Sequence, residues 1–222
     1  MLIDTDSNLY VYSITRDFGF APNPFHGICT LATCKPKIRK SANVGDWIIG
    51  VGGSNLKPIA RKCIFLMKVT EKITFQDYWD DSRFIRKKPA RNGSSMQMLG
   101  DNIYHKNESG EWIQENSHHS NPDGTPNINN LIRDTQRTDK VLISNFFFYF
   151  GSEAIEIDLN SIGYHRRIRD CKKTDLDKSE NGKKIIESIS KAHRSFINNV
   201  IGDPFQFDYS HKRVDQKKGI LV

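Results

Sequence analysis

The sequence predicts an α+β fold: a strand-rich frame that carries one long polar insertion and closes with an amphipathic helix. Three observations predict it. β-branched and aromatic runs of strand length recur between residues 9 and 69 and again between 140 and 150. Residues 82–139, between them, are rich in Asn, Ser, Gly and Pro. Apolar residues then return at helical spacing after residue 183.

The first strand is expected at residues 9–15, Leu-Tyr-Val-Tyr-Ser-Ile-Thr. Residues 17–25, Asp-Phe-Gly-Phe-Ala-Pro-Asn-Pro-Phe, must turn at once, and their three phenylalanines need a surface, either the core or the rim of a ligand site. A second strand over residues 27–34 leads into Lys35, Lys37 and Arg39, which an extended chain lines up as a basic rail or a charge-protected edge. A turn at Gly45-Asp46 feeds an apolar strand ending in glycines at residue 53, with residues 62–69 as its partner. In residues 70–81 the period changes: Thr74 and Asp77 resemble a capping box, and Phe75, Tyr78 and Trp79 share one helical face. Beyond the insertion, strands are expected at 140–144 and 146–150. Ile185, Ile189, Ala192, Phe196 and Val200 then mark a helix over 183–200, stopped by Gly202-Asp203-Pro204.

With 222 residues, 37% hydrophobic and 10% aromatic, the chain can bury a core as a single domain over 1–222. Its expected parts are a core at 9–81, an insertion or lid at 82–139, closing strands and helix at 140–208 and a basic tail at 209–222. An insertion of this length is functional or disordered, and Tyr104, His105, Trp112, His118 and His119 argue for an ordered cap. Net charge is +7, and residues 162–222 hold 14 Lys/Arg against 8 Asp/Glu, which favours anionic partners. The tail, with Lys212, Arg213, Lys217 and Lys218, reads as mobile. Cys29, Cys34, Cys63 and Cys171 fit neither a disulfide framework nor a zinc ribbon; Cys29 and Cys34 lie in an apolar run and read as small buried strand residues. With no signal-peptide pattern and no membrane-length apolar run, a reducing cytoplasm and no membrane partner are expected.

The pair Val44-Gly45-Asp46-Trp47-Ile48-Ile49-Gly50 and Cys63-Ile64-Phe65-Leu66-Met67-Lys68-Val69-Thr70 resembles the core of PUA-like domains (EVE, YTH, ASCH). That resemblance implies a mixed β pseudo-barrel holding an extruded or modified base. Longer strings are similar to the nucleotide modification associated domain 2 family over most of residues 9–151. They are residues 17–25, 29–39, Gly100-Asp101-Asn102-Ile103-Tyr104-His105, Ser117-His118-His119-Ser120, Val141-Leu142-Ile143-Ser144 and Phe148-Tyr149-Phe150-Gly151. This resemblance implies a role beside DNA-base modification or phage-related systems, and it fades after Gly151.

Reading a base outside a duplex needs stacking faces, edge-reading amides or carboxylates, and cations for phosphate. Trp47, Tyr104 and Trp112 are candidates for stacking, Asn23, Asp101 and Asn102 for the base edge with His105 beside them, and Lys35, Arg39, Lys87 and Lys88 for phosphate. The expected partner is a nucleotide or nucleic acid carrying a modified base. An enzyme reading places His118, His119 and Asp101 at a catalytic centre, with Asp101, His105 or Asp134 pairing a histidine that acts as general base. A transferase, glycosylase or hydrolase would fit it. The histidine spacing matches no standard metal motif, and no residue pattern names a cofactor. Phosphate-cradling loops, Gly-x-Ser-x-Gly elbows and the Cys-x-x-Cys of zinc deaminases are absent from the sequence.

Overall fold

The computed structural model describes residues 2–165, 170–215 and 220–221. Strand β1 (Asn8–Ile14) is followed by β2 (Cys29–Leu31), helix α1 (Pro36–Ser41), β3 (Trp47–Gly52), β4 (Cys63–Lys68), β5 (Glu71–Thr74) and α2 (Phe75–Asp80). The insertion contributes α3 (Ser95–Met98), the hairpin of β6 (Tyr104–Lys106) and β7 (Trp112–Gln114), and α4 (Ile128–Thr135). The chain returns through β8 (Lys140–Ser144), β9 (Phe147–Tyr149), β10 (Cys171–Asp175), α5 (Glu180–Ala192) and β11 (Asn199–Val200). A short pair, β12 (Val214–Asp215) and β13 (Ile220–Leu221), follows.

Six strands form one mixed sheet in the order β10-β1-β3-β4-β9-β11, and three form a second, β2-β8-β5. Among the described residues both of these sheets are open and no barrel closes, so the architecture is α+β with two larger sheets and the two-stranded pairs β6-β7 and β12-β13. Strand alternation gives the large sheet two buried faces. Leu9, Val11, Trp47, Ile49, Leu66 and Phe148 pack with Ile186 and Ile189 of α5. Tyr10, Tyr12, Ile48, Phe65, Met67 and Tyr149 pack with Leu31 and Leu142 of the small sheet. Burial on both faces explains why β3 and β4 read as continuous apolar runs.

The capping box is present: the Thr74 side chain accepts from the Asp77 N–H, and Asp77 accepts from the Thr74 N–H at 3.2 Å. Two expectations change. The last helix begins earlier and ends at Ala192; Phe196 is exposed beyond it, and Val200 belongs to β11. Lys35, Lys37 and Arg39 form no extended rail, because Cys34 and Lys35 take left-handed φ values of 56° and 40° and turn the chain into α1. Lys37 then pairs with Asp170 at 2.8 Å, while Arg39 is buried.

Residues 210–213, read from sequence as part of a mobile tail, are tied to the insertion. Arg91 donates to the carbonyls of Ser210 (3.2 Å) and His211 (2.5 Å), and Arg213 donates to Asn121 O (2.6 Å), Asn116 Oδ1 (2.5 Å) and Pro122 O. Lys217 and Lys218 lie outside the described residues. No described helix is long and apolar enough to cross a membrane.

Candidate active site

Beyond β1 the chain bends through residues 17–25, and the bend is held from behind. Buried Asp17 accepts hydrogen bonds from the Phe205 N–H (2.9 Å) and the Tyr149 hydroxyl. Burial, opposed by these hydrogen bonds, pushes its carboxyl up to about 6. Gly19 has φ +74° and would bring a Cβ to 2.7 Å from Pro204 Cγ, so the turn requires glycine. Phe18 and Phe20 therefore project onto the insertion, with ring centroids 4.6 Å from those of His118 and His119 respectively.

A cavity of about 330 Å³ opens between these rings and the start of α1, and Arg16, Cys34, Lys35, His118, His119 and Arg133 are among its lining residues. The Cys34 backbone is fixed to α4 from two sides. Its N–H donates to Asp134 Oδ1 at 2.9 Å, and its carbonyl accepts from Arg39 Nε at 2.8 Å. Arg39 also donates to the carbonyls of Asp134 (2.6 Å) and Lys140 (2.7 Å). A guanidinium with three carbonyl acceptors is a structural clamp, which is the role the fold gives this residue.

That clamp brings three side chains into line. Cys34 Sγ lies 3.7 Å from His119 Nε2, and His119 Nδ1 lies 3.2 Å from Asp134 Oδ2. Asp134 also accepts from Tyr104 OH (3.0 Å) and from Arg133 Nε (2.9 Å) and Nη2 (3.0 Å). Burial opposes the carboxylate, but the hydrogen bond from His119 and the Arg133 guanidinium hold it well below the usual range. Burial also opposes a charged Cys34, yet Arg133 and His119 outweigh it and lower the thiol's pKa. His119 moves the other way: burial disfavours the imidazolium, while Cys34 and Asp134 raise its pKa overall. The pair is thus biased toward thiolate and imidazolium. A thiol whose proton passes to an imidazole oriented by a carboxylate is an arrangement suited to nucleophilic catalysis.

His118, though adjacent, is built differently. Its Nδ1 meets the Lys212 carbonyl at 2.8 Å, and burial together with nearby His119 pushes its pKa down to about 3. It stays neutral and packs on Phe18. No described group of three or more His, Cys, Asp or Glu side chains is gathered for a metal ion.

The profile of one family, nucleotide modification associated domain 2, matches residues 6–211. The chain belongs to that family. The match runs past Gly151, where the sequence resemblance fades, and takes in α5 and β11. Membership carries a nucleotide-modification setting. No curated protein and no solved structure matches the chain.

In this family member the residues singled out from sequence separate into four places. His118, His119 and Lys35 line the cavity, and Tyr104 stands behind it on Asp134. Asn23, Lys87, Asp101 and Asn102 form another buried network. Lys87 Nζ donates to Asn23 Oδ1 (2.6 Å), Asn23 O (2.9 Å) and Ile28 O (2.7 Å). Asp101 accepts from Thr30 Oγ1 (2.7 Å) and Tyr78 OH (2.8 Å), and Asn102 Nδ2 donates to Tyr78 O (2.7 Å). None of the four lines the cavity. On the outer side of the insertion, His105 stacks on Trp79 at 4.0 Å and meets Glu115 at 2.8 Å, while Lys88 Nζ lies 3.6 Å from the Trp79 ring centre. Trp112 there packs edge-on to Phe75. Trp47 is fully buried on the α5 face of the large sheet, packed against Phe146, because a tryptophan opening a central strand has core on both sides.

Sequence reasoning passed over Cys34 and Arg133. The apolar run that ends at Cys34 hides it among strand cysteines. The signal that separates it is Pro36, which marks the first turn of a helix and so places Cys34 in the turn between strand and helix, beyond the end of β2 at Leu31. In the sequence Asp134 is one of three candidate partners for a histidine, and the fold selects it.

Proposed function

We propose that this protein is an enzyme of the nucleotide-modification setting that works through the Cys34 thiolate. The observation that carries the reading is the alignment of Cys34, His119 and Asp134 on the wall of a cavity. His119 Nε2 accepts the thiol proton, and Asp134, kept ionised by Arg133, holds the imidazole in register. The thiolate attacks an electrophilic carbon of the nucleotide: a C–S bond forms, the bond to the leaving group breaks, and the His119 proton goes to that group. Water or an acceptor nucleophile, deprotonated by His119, then displaces sulfur and restores the thiol. Transferases and hydrolases both follow this course. His118, the other histidine of the enzyme reading, supports the loop as a neutral ring.

The rate of Cys34 alkylation by iodoacetamide against pH tests the proposal. In the wild type a reactive plateau should extend below the ordinary thiol range. In His119→Ala the plateau should vanish, with the thiolate fraction below it falling about tenfold per unit of pKa regained. A wild-type profile like that of a free thiol, or one indifferent to His119→Ala, would overturn it. Cys34→Ser supplies the blank and reports the background from Cys171, which is half-buried like Cys34, whereas Cys29 and Cys63 are buried.

A second reading rests on Phe18 and Phe20, which give the same cavity aromatic walls. It makes the pocket a holder of a modified base, in DNA modification or phage defence, and agrees with a PUA-like origin of the β3–β4 pair. Isothermal titration separates the two: a holder binds a modified nucleotide unchanged in Cys34→Ser and never forms an adduct.

A further inference from the structure

The end of β1, the bend at residues 18–21, the turn at residues 34–36, the two histidines and Arg133 of α4 all meet around the thiol cavity. Three of these walls are held from behind. Asp17 accepts from the Phe205 N–H behind the bend, Arg39 donates to the Cys34 carbonyl behind the turn, and His118 meets the Lys212 carbonyl behind the histidine loop. The cavity is therefore preformed. At about 330 Å³ it lies at the lower end of the size range for small-ligand sites, which suits one nucleotide unit.

The charged side chains of the lining are placed in different ways. Arg133 is forked onto Asp134 at 2.9 and 3.0 Å, and Asp170 is bound to Lys37 at 2.8 Å. Lys35 instead faces uncharged groups. Its Nζ lies 4.6 Å from the centre of the Tyr12 ring and 3.4 Å from the Ser13 carbonyl, a contact long for a hydrogen bond. An ammonium has three donors to aim, so one held this way can turn them to an anion that enters the cavity. Arg16 is a further cation in the lining, and its charge helps to keep His118 neutral.

The flat apolar part of the lining stands beside the thiol. The Phe20 ring centroid is 4.6 Å from that of His119, whose Nε2 is 3.7 Å from Cys34 Sγ. Bases outside a duplex are held on such rings. A terminal phosphate monoester carries about −1.5 to −2 near neutral pH, whereas a backbone diester carries about −1. Two cations, Lys35 and Arg16, in the lining of a one-unit cavity match the monoester.

Building on the proposed thiol chemistry, we infer that the substrate is a free nucleoside 5′-monophosphate, with its base against Phe20 beside Cys34 and its phosphate on Lys35 and Arg16.

Calorimetric titration of the full chain tests this, with the 2′-deoxynucleoside 5′-monophosphates, the matching nucleosides and a mixed-sequence DNA strand without terminal phosphates as probes. Protection of Cys34 from iodoacetamide by each probe reports where it binds. One or more of the monophosphates should bind about tenfold tighter than its nucleoside and protect Cys34 better than the strand does. Lys35→Met should weaken that monophosphate about tenfold while leaving its nucleoside within about twofold, and Lys35→Arg, which keeps the charge, should restore most of the affinity. No protection by any monophosphate, equal affinity for nucleoside and monophosphate, better protection by the strand, or a Lys35→Met loss shared by the nucleoside would overturn the inference. Its failure is distinguishable from failure of the thiol reading. Monophosphate binding with an alkylation profile indifferent to His119→Ala removes the thiol reading alone, and a His119-dependent profile without preference for the monophosphate removes only the substrate.

Discussion

The network around Asp101 and the cluster around Asp134 are assembled from the same kinds of group: a fully buried carboxylate, a tyrosine hydroxyl and a nearby cation. Their pKa values move in opposite directions. Asp101 receives the hydroxyls of Thr30 and Tyr78 and its own backbone N–H, all uncharged, while Lys87 directs its three donors to Asn23 and Ile28 carbonyl and amide oxygens. Burial therefore prevails and pushes Asp101 up to about 6 and Lys87 down to about 8. Asp134 is equally buried but takes two hydrogen bonds from Arg133 and one from His119, which hold it ionised. Direct donation from a charged group, not depth, decides which way the carboxylate's pKa moves. The first network closes on itself and fastens the insertion to β2. The second leaves a thiol at an opening.

If the clusters are separate in this sense, a cut in the first should cost stability and spare the thiol. Lys87→Met takes the donor from Ile28 O, leaves Asn23 O to Thr30 and Asn23 Oδ1 to the Phe25 N–H, and removes the positive charge that lowers the pKa of Asp101. The expected loss is about 3–5 kcal/mol in urea unfolding, with Cys34 alkylation of the folded fraction unchanged. A loss below about 1 kcal/mol would mean that the network is not what fastens the insertion.

His118 tests the boundary between the clusters through pH. An imidazole held at about 3 instead of its ordinary 6.5 contributes stability that is complete above pH 6.5 and is lost as the pH falls toward 3. Between about pH 7 and pH 4 the wild type should lose on the order of 3 kcal/mol through this one group. His118→Phe keeps the ring contact with Phe18 and should flatten that part of the curve, although it starts lower for want of the hydrogen bond to Lys212 O. Equal acid sensitivity in both proteins, measured by denaturant unfolding at the two pH values, would show that His118 is not held neutral.

What was legible in the sequence follows the same division. β1, β3, β4, β8 and β9 showed in local apolar patterning, and the Thr74 cap in a three-residue spacing, because such signals are complete within a few neighbours. The histidine loop showed because polar loops with paired histidines are uncommon. The pairing of Cys34 with Asp134 did not, since a hundred residues separate them and only the left-handed turn at Cys34 and Lys35 brings them together. Nor did the fate of Asn23, Asp101 and Lys87. An amide, a carboxylate and an ammonium look the same in a string whether they will face a ligand or each other. The bend at residues 17–25 carried both of its meanings, for Phe18 and Phe20 are core residues and cavity walls at once.

The smallest effect is expected from Arg213→Ala, and it tests what positions His119. Arg213 ties residues 116, 121 and 122 together, and Lys212 beside it receives His118, so the C-terminal segment grips the histidine loop from outside. The His119 carbonyl is held from inside, by Asn130 Nδ2 at 2.7 Å and Gln114 Nε2 at 3.2 Å, and its ring by Asp134. Removing a partly exposed cation should therefore lower stability by about 1 kcal/mol and change the Cys34 alkylation rate less than twofold. A slowing as large as that of His119→Ala would place control of the imidazole in the C-terminal segment. The thiol cluster would then depend on a surface strap, and its contrast with the self-contained Asp101 network would rest on the tail and not on α4.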